Sequence, residues 1–170
     1  CNTAAAKADE WIPIRPGTDG ALALAMINVL LNELGIYDAE FLKKYTNSPY
    51  LVGPDGHYLK DKGTNTVLVW DAADGKVKTY NNPDVKDFAL EGSYQVNGAT
   101  GKPAFQLLKE HVIKYTPEEM AEITTIPAET IRRIAREFGE AARIGSTIVI
   151  EGKELPLRPA CVHFRKGVNP

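Results

Sequence analysis

The sequence predicts an α/β fold, in which layered helices lie on a short, largely parallel sheet and a β hairpin is added. Two stretches, residues 19–34 and 127–142, carry apolar residues at helical spacing. Two others, at 66–70 and 147–150, are rich in the β-branched and aromatic residues that strands favour. Glycine and proline turns separate these elements, and their mixed order along the chain is typical of α/β layers.

The first helix is predicted over residues 19–34, which are apolar almost all round and therefore indicate a helix buried between layers. Gly35 follows as a left-handed cap. Asp38 is expected to cap a short second helix over 39–45. An extended stretch then begins at Leu51 and Val52.

The middle of the chain is predicted to be β-rich. A turn at 53–56 precedes two β-rich runs, 66–70 and 76–80, which are expected to pair as a hairpin. Residues 81–102 contain several asparagines and glycines, with a strand signal at 93–96. This middle part therefore contains a hairpin and a less regular segment.

The last part is predicted to contain paired helices and a return to strands. Residues 104–114 are amphipathic, and Thr116 begins a capping box with proline at the first helical position. Pro127 starts another helix, with an apolar stripe made by Ile131, Ile134, Ala135, Phe138 and Ala142. Strands are expected at 147–150 and, after a turn at Gly152, at 160–164.

The charged face of this last helix has two interpretations. Arg132, Arg133 and Arg136 would suit a phosphate, but they alternate with Glu137 and Glu140. Interleaved charges on the outer face of an amphipathic helix are normally solvated. The solvated face is the favoured interpretation.

Composition sets broad limits on function. The 170 residues are 44% apolar, enough for one sizeable core. A net charge of −2 and a pI near 6.0 give no electrostatic footprint for nucleic acid, and no apolar run is long enough for direct membrane insertion. The two cysteines lack metal-ligand spacing, and Cys161 and His163, in an apolar run, are expected to be buried core residues.

The most informative segment runs from residue 8 to residue 26. Pro13 and Pro16 hold the chain extended until Gly17 lets it turn, and a helix opens directly afterwards. Thr18 or Asp19 is expected to cap that helix, whose first N–H groups lack internal partners and can face an anion or nucleotide. An ordinary capped helix start is the alternative interpretation.

An ordered series of motifs carries a resemblance to a known family. The motifs lie at residues 8–26, 41–52, 103–119, 126–135 and 158–169. In this order they resemble the molybdenum and tungsten bis(pterin guanine dinucleotide) oxidoreductases, the dimethyl sulfoxide reductase family. The resemblance implies a segment of a longer catalytic subunit, divided into a dinucleotide-binding region (1–52), a hairpin with a variable insertion (53–102), and a helical pair that returns to a cofactor-facing strand and loop (103–170).

The resemblance also implies which residues contact the cofactor, and it assigns no catalytic or metal-ligating residue. The guanosine end of one pterin dinucleotide would lie at Gly17, Thr18 and Asp19, while Trp11 and Ile14 would pack beneath the turn. Additional contacts to ribose, phosphate, pterin or substrate are expected from Asn2, Arg15, Lys166 and Gly167.

For the parent enzyme, the resemblance implies molybdenum or tungsten held by two pterin guanine dinucleotides, with an iron–sulfur cluster in a region outside this chain. The expected partners are an iron–sulfur electron-transfer subunit and the rest of the catalytic subunit, in a prokaryotic cytoplasm or periplasm. The isolated segment is expected to bind no cofactor and to be inactive.

Two other function classes remain open from the sequence. One is a metal-free scaffold or electron-transfer domain like the large peripheral subunit of respiratory complex I, and the other is an unrelated small α/β binding module. Intact Gly17, Thr18 and Asp19 favour dinucleotide binding over a scaffold. An unrelated module would explain the periodicities but not the ordered motifs.

Overall fold

The computed structural model describes residues 6–163. Within that range the helices are α1 (Asp19–Asn28), α2 (Ala39–Tyr45), α3 (Ala104–Val112), α4 (Pro117–Thr124) and α5 (Ala128–Ala141). The strands are β1 (Leu51–Val52), β2 (Leu68–Asp71), β3 (Lys76–Thr79), β4 (Tyr94–Val96), β5 (Ala99–Pro103), β6 (Thr147–Ile150) and β7 (Lys153–Pro156). The predicted α/β class is confirmed.

The chain divides into two compact units. The first contains the described residues up to Tyr37 and from Val112 onward, and the second is Asp38–His111. The first unit holds α1, α4, α5 and the β6–β7 pair, while the second holds α2, β1 to β5 and nearly all of α3.

The core of the first unit lies where α1, α4 and α5 meet. Its buried centre consists of Ala25, Met120, Ile126 and Ile131, and Ile14 is among the residues packed against it. The predicted stripe of α5 is confirmed at its centre, because Ile131 and Ala135 are fully buried. Thr116 caps α4 by accepting a hydrogen bond from the Glu119 N–H at 3.2 Å, as the capping box predicts.

The helix predicted over 19–34 is not a single α-helix. It is α-helical to Asn28, continues as a π-helix over Val29–Leu34, and ends at Gly35 in the expected left-handed conformation. Buried Asn28 marks the change, and its amide donates to the Tyr115 carbonyl at 3.1 Å. A segment that is apolar all round carries no information about the width of its turns, so the pattern could not show the π-helix.

The second unit is built from antiparallel strands. The predicted hairpin forms from β2 and β3, with Leu68 opposite Thr79 and Asp71 opposite Lys76. A three-stranded sheet has the order β1-β5-β4, and β4 confirms the strand signal at 93–96. Strand β5 was not predicted; it follows a turn in which Asn97 and Gly98 both have positive φ, as a type I′ hairpin requires.

The expected largely parallel sheet is not found among residues 6–163, where every strand pairing is antiparallel. Parallel neighbours need a crossover of a dozen or more residues. Here residues 72–75, 97–98 and 151–152 join successive strands directly, so those strands can only fold back on each other.

The second C-terminal strand, predicted over 160–164, is not found among the described residues. β6 pairs with β7, and no strand is present over 160–163; residue 164 lies outside the described residues. Cys161 and His163 are exposed rather than buried in a core. An apolar run becomes buried only if another layer covers it, and none of the described residues does so here.

A buried carboxylate organises the hairpin of the second unit. Asp71 is fully buried and pairs with Lys78 at 2.7 Å. Its two oxygens also accept backbone N–H groups of Ala73, Lys86 and Asp87 at 3.0–3.1 Å. These bonds hold the segment after β3 against the hairpin, and the bond from Lys78 is the main cause that lowers the pKa of Asp71.

We expect Asp71→Asn to lower the midpoint temperature of thermal unfolding by roughly 5 °C or more, because it leaves the Lys78 ammonium without its buried partner. Exposed Asp84→Asn, in the adjoining segment, is the matched control and should change the midpoint little. Differential scanning calorimetry of both variants at neutral pH measures the effect.

The same pair predicts a pH dependence. Because the pKa of Asp71 is lowered in the folded protein, its contribution is present above its unfolded pKa of about 4 and is lost as the pH falls towards the folded pKa. The raised pKa of Lys78 keeps its contribution intact up to about pH 10. A difference between wild type and Asp71→Asn that stays constant from pH 6 down to pH 2 would contradict this assignment.

Candidate cofactor-binding turn

The N-terminal turn, residues 15–19, is a closed β-turn followed at once by a helix. The Thr18 N–H donates to the Arg15 carbonyl at 3.3 Å, and Gly17 has a φ of +81°. Proline at the second position and a positive-φ glycine at the third are the pattern of a type II turn. The chain therefore turns at Gly17, as the sequence predicted.

The base of the turn is attached to the end of α4. The Arg15 N–H donates to the Thr124 carbonyl at 3.0 Å. Thr124 is fully buried, and its hydroxyl donates to the Met120 carbonyl at 2.7 Å while accepting the Ile126 N–H at 3.2 Å. The turn is thus held on a fixed, buried part of the first unit.

The expected cap of α1 by a side chain is not found. The Thr18 hydroxyl donates to the Arg15 carbonyl at 2.7 Å, which closes the turn a second time and directs the hydroxyl away from the helix. The N–H groups of Ala21 and Leu22 are bonded to the Thr18 carbonyl. Those of Asp19 and Gly20 have no hydrogen-bond partner among residues 6–163.

The Asp19 carboxylate, which is partly exposed, likewise has no partner among the described residues. A Cβ at Gly17 would meet no atom within 4 Å, so the space in front of this residue is open. The turn therefore offers two carboxylate oxygens as acceptors next to two backbone donors. That combination can bind a group with its own donors and acceptors, or an anion at the helix start.

The other predicted contact residues have different outcomes. The Arg15 side chain is exposed and pairs with no residue of the described range. Ile14 packs on the core beneath the turn as expected, but Trp11 is 59% exposed, because the extended approach turns it away from that core. Asn2, Lys166 and Gly167 lie outside the described residues.

Arg132 and Arg133 of α5 do not form a free anion site. Arg132 pairs with Glu33 and Glu118 at 2.8 and 2.6 Å, and Arg133 pairs with Glu10 and Glu137 at 2.6 and 3.1 Å. The hydrogen bonds that Arg132 donates to the Glu118 and Glu33 carboxylates raise the pKa of Arg132. Both guanidinium groups are thus neutralised by neighbouring carboxylates, which supports the solvated-face interpretation.

Residues 6–163 contain neither a metal-binding cluster nor a membrane-spanning helix. No group of three or more His, Cys, Asp and Glu side chains there could hold a metal ion. No single helix of that range is long and apolar enough to cross a membrane; residues 19–34 and 39–45 meet the length and composition only when counted together.

Thr124 is a positioning residue that sequence reasoning missed. The next residue, Thr125, caps α4 in the left-handed conformation with a φ of 65°, a place usually taken by glycine or asparagine. Because a β-branched threonine gives no such signal, the connection between the end of α4 and the N-terminal turn could not be predicted.

The chain is similar to subunits of several known redox enzymes. No family model matches the chain. A sulfite dehydrogenase subunit of Allochromatium vinosum is 45% identical over 81% of this chain and 16% of that protein. The alpha subunit of the perchlorate reductase of Dechloromonas aromatica is 32% identical over 82% of this chain and 20% of that protein, and the alpha subunit of the dimethylsulfide dehydrogenase of Rhodovulum sulfidophilum is 33% identical over 84% and 17%.

These relatives are subunits of two dehydrogenases and a reductase, all of which are oxidoreductases. The chain belongs to the dimethyl sulfoxide reductase family of molybdenum oxidoreductases. It spans one fifth or less of the length of the relatives named above, 16–20%.

We expect Gly17→Ala to lower the free energy of unfolding of the 170-residue chain by only about 1–2 kcal/mol, the cost of a left-handed non-glycine residue. The matched control is Gly35→Ala, because Gly35 also has positive φ and open space at the Cβ position. Urea titration of both variants should give similar losses. A loss at Gly17 that exceeds the one at Gly35 by several kcal/mol would show that the Cβ meets protein atoms.

Proposed function

We propose that the chain is a segment of the catalytic subunit of a molybdenum- or tungsten-dependent oxidoreductase, and that the N-terminal turn binds the guanosine end of a pterin guanine dinucleotide. The Asp19 carboxylate, which has no partner among residues 6–163 and lies beside the open side of Gly17, is the observation that carries this proposal. A carboxylate without a partner is normally either solvated or bound to a ligand.

Guanine suits this arrangement for a chemical reason. Its N1–H and exocyclic amine are adjacent donors, and the two oxygens of Asp19 can accept both at once. Adenine presents an acceptor at N1 in place of that N–H, so it cannot form the same pair of hydrogen bonds. The N–H groups of Asp19 and Gly20, which have no partner within the described range, and the exposed guanidinium of Arg15 would supply donors for ribose or phosphate oxygens.

The relatives support a role in binding the cofactor rather than in choosing a substrate. Their names specify sulfite, perchlorate and dimethylsulfide, although each matches more than four fifths of this chain. A segment shared by enzymes that act on such different substrates fits a function that these enzymes have in common, such as binding the cofactor.

The bound metal and its pterins would supply the redox chemistry. The described residues would hold and orient the nucleotide tail, with Thr124 fixing the turn against α4. We propose further that the longer polypeptide carries an iron–sulfur cluster and passes electrons to a separate iron–sulfur subunit. The relatives support the presence of further subunits, because each of them is itself one subunit of its enzyme.

Asp19→Ala in the full-length subunit should weaken nucleotide binding by roughly 10²- to 10⁴-fold, because two hydrogen bonds to a charged group are worth about 1.5–3 kcal/mol each. The measurement is the guanine nucleotide released by acid from the purified protein, per mole of subunit. Asp19→Asn keeps one acceptor oxygen and should show an intermediate loss.

Glu129→Ala is the matched control, because Glu129 is also an exposed carboxylate in the first turn of a helix. It should leave the nucleotide content unchanged, which separates guanine binding from a general effect on the helix dipole. Wild-type nucleotide content in Asp19→Ala would contradict the proposed role of Asp19. Full-length wild-type protein without any pterin or guanine nucleotide would favour the metal-free scaffold.

For the isolated 170-residue chain we expect no retained molybdenum or tungsten and no activity, because the described residues hold no cluster of metal ligands. Elemental analysis by mass spectrometry after gel filtration measures this. A stoichiometric amount of either metal would contradict the expectation.

A further inference from the structure

The β6–β7 hairpin has two chemically different faces. In its antiparallel register Ile148 lies opposite Leu155, and Ile150 lies opposite Lys153. Alternate residues of a strand point to opposite faces, so these four side chains share one face, which we call the apolar hairpin face. The other face contains Val149 and a hydrogen bond of 2.7 Å between the Thr147 hydroxyl and the Glu154 carboxylate.

The apolar hairpin face is open to solvent in the described structure. Ile148, Ile150 and Leu155 are 42%, 50% and 43% exposed. Within residues 6–163 the two strands form a sheet of their own, without a third strand. An isolated two-stranded hairpin is at best marginally stable in water, so a face of this composition needs a covering layer.

We propose that the apolar hairpin face is covered, in the full-length subunit, by an apolar surface from the remainder of the same polypeptide. This chain spans only 16–20% of the relatives named above, so most of a protein of their length lies outside it. The single charged side chain on the face is Lys153, next to the hairpin turn, and the rest is aliphatic. Aliphatic composition fits the interior of one chain better than a transient charged interface.

This inference rests on the proposal that the chain is a segment of a longer subunit. It is independent of guanine binding, because nucleotide release tests Asp19 whereas the accessibility of the hairpin side chains tests the covering layer. A failure of one can therefore be told from a failure of the other.

Hydroxyl-radical footprinting of the full-length wild-type subunit measures the accessibility directly. Oxidation of Ile148, Ile150 and Leu155, normalised for intrinsic reactivity, should be at least fivefold slower than oxidation of Val149 on the opposite face. Val149 is the internal reference because it lies in the same strand and is 68% exposed. Equal rates for the two faces would overturn the proposal.

Two further outcomes identify a different occupant and would also overturn it. Protection that grows with protein concentration would show a second copy of the same chain on this face. Protection that is present only in the complex and lost in the separated subunit would show a partner subunit.

A pair of substitutions gives a second readout in the full-length subunit. Ile150→Lys places a charge on the apolar hairpin face and should lower the midpoint of thermal unfolding by several degrees, whereas Val149→Lys in the same strand should change it little. Equal effects of the two substitutions would count against a covered face. If Ile150→Lys does not fold, the footprinting of the wild type still decides the question.

Discussion

The hydrogen bond from the Arg15 N–H to the Thr124 carbonyl is the constraint on which the candidate site depends. It joins a proline-stiffened approach, which cannot bend freely, to a residue that is fully buried. The Thr124 hydroxyl is already used by Met120 and Ile126, so the backbone around Thr124 is held from both sides. A binding turn gains from such support, because the ligand need not supply the free energy of ordering it.

The first unit contains both paired and unpaired charged side chains among the described residues. The guanidinium groups of Arg132 and Arg133 are paired with carboxylates of three other segments and of α5 itself, and such half-exposed pairs contribute little to stability because water screens them. Asp19 has no such partner among residues 6–163 and stands at the positive end of α1. That position is favourable without a ligand, which explains why the free carboxylate is tolerated and why it is available for binding.

Sequence patterns predicted the local structure correctly where the deciding interaction joins residues that are close in sequence. Asp38 and Thr116 cap their helices, and Gly35 ends its helix as expected, because these effects need only a few adjacent residues. The π-helix after Asn28 and the role of Thr124 involve groups distant in sequence. In the candidate site, the turn chemistry and the family resemblance predicted Gly17 and Asp19, whose role in binding stays a prediction. The predicted cap by Thr18 is not formed, because its hydroxyl donates to the Arg15 carbonyl instead.

The helical core and the β6–β7 hairpin of the first unit differ in how completely they bury their apolar residues. The α1, α4 and α5 core is complete by itself, since Ala25, Ile126 and Ile131 are almost wholly excluded from solvent. The hairpin after α5 has a comparable aliphatic composition but no layer over it within the described range. If no further apolar layer covered this hairpin, its two strands would be only marginally stable. The helices can therefore hold the N-terminal turn on their own, whereas the apolar hairpin face has no covering layer within the described residues.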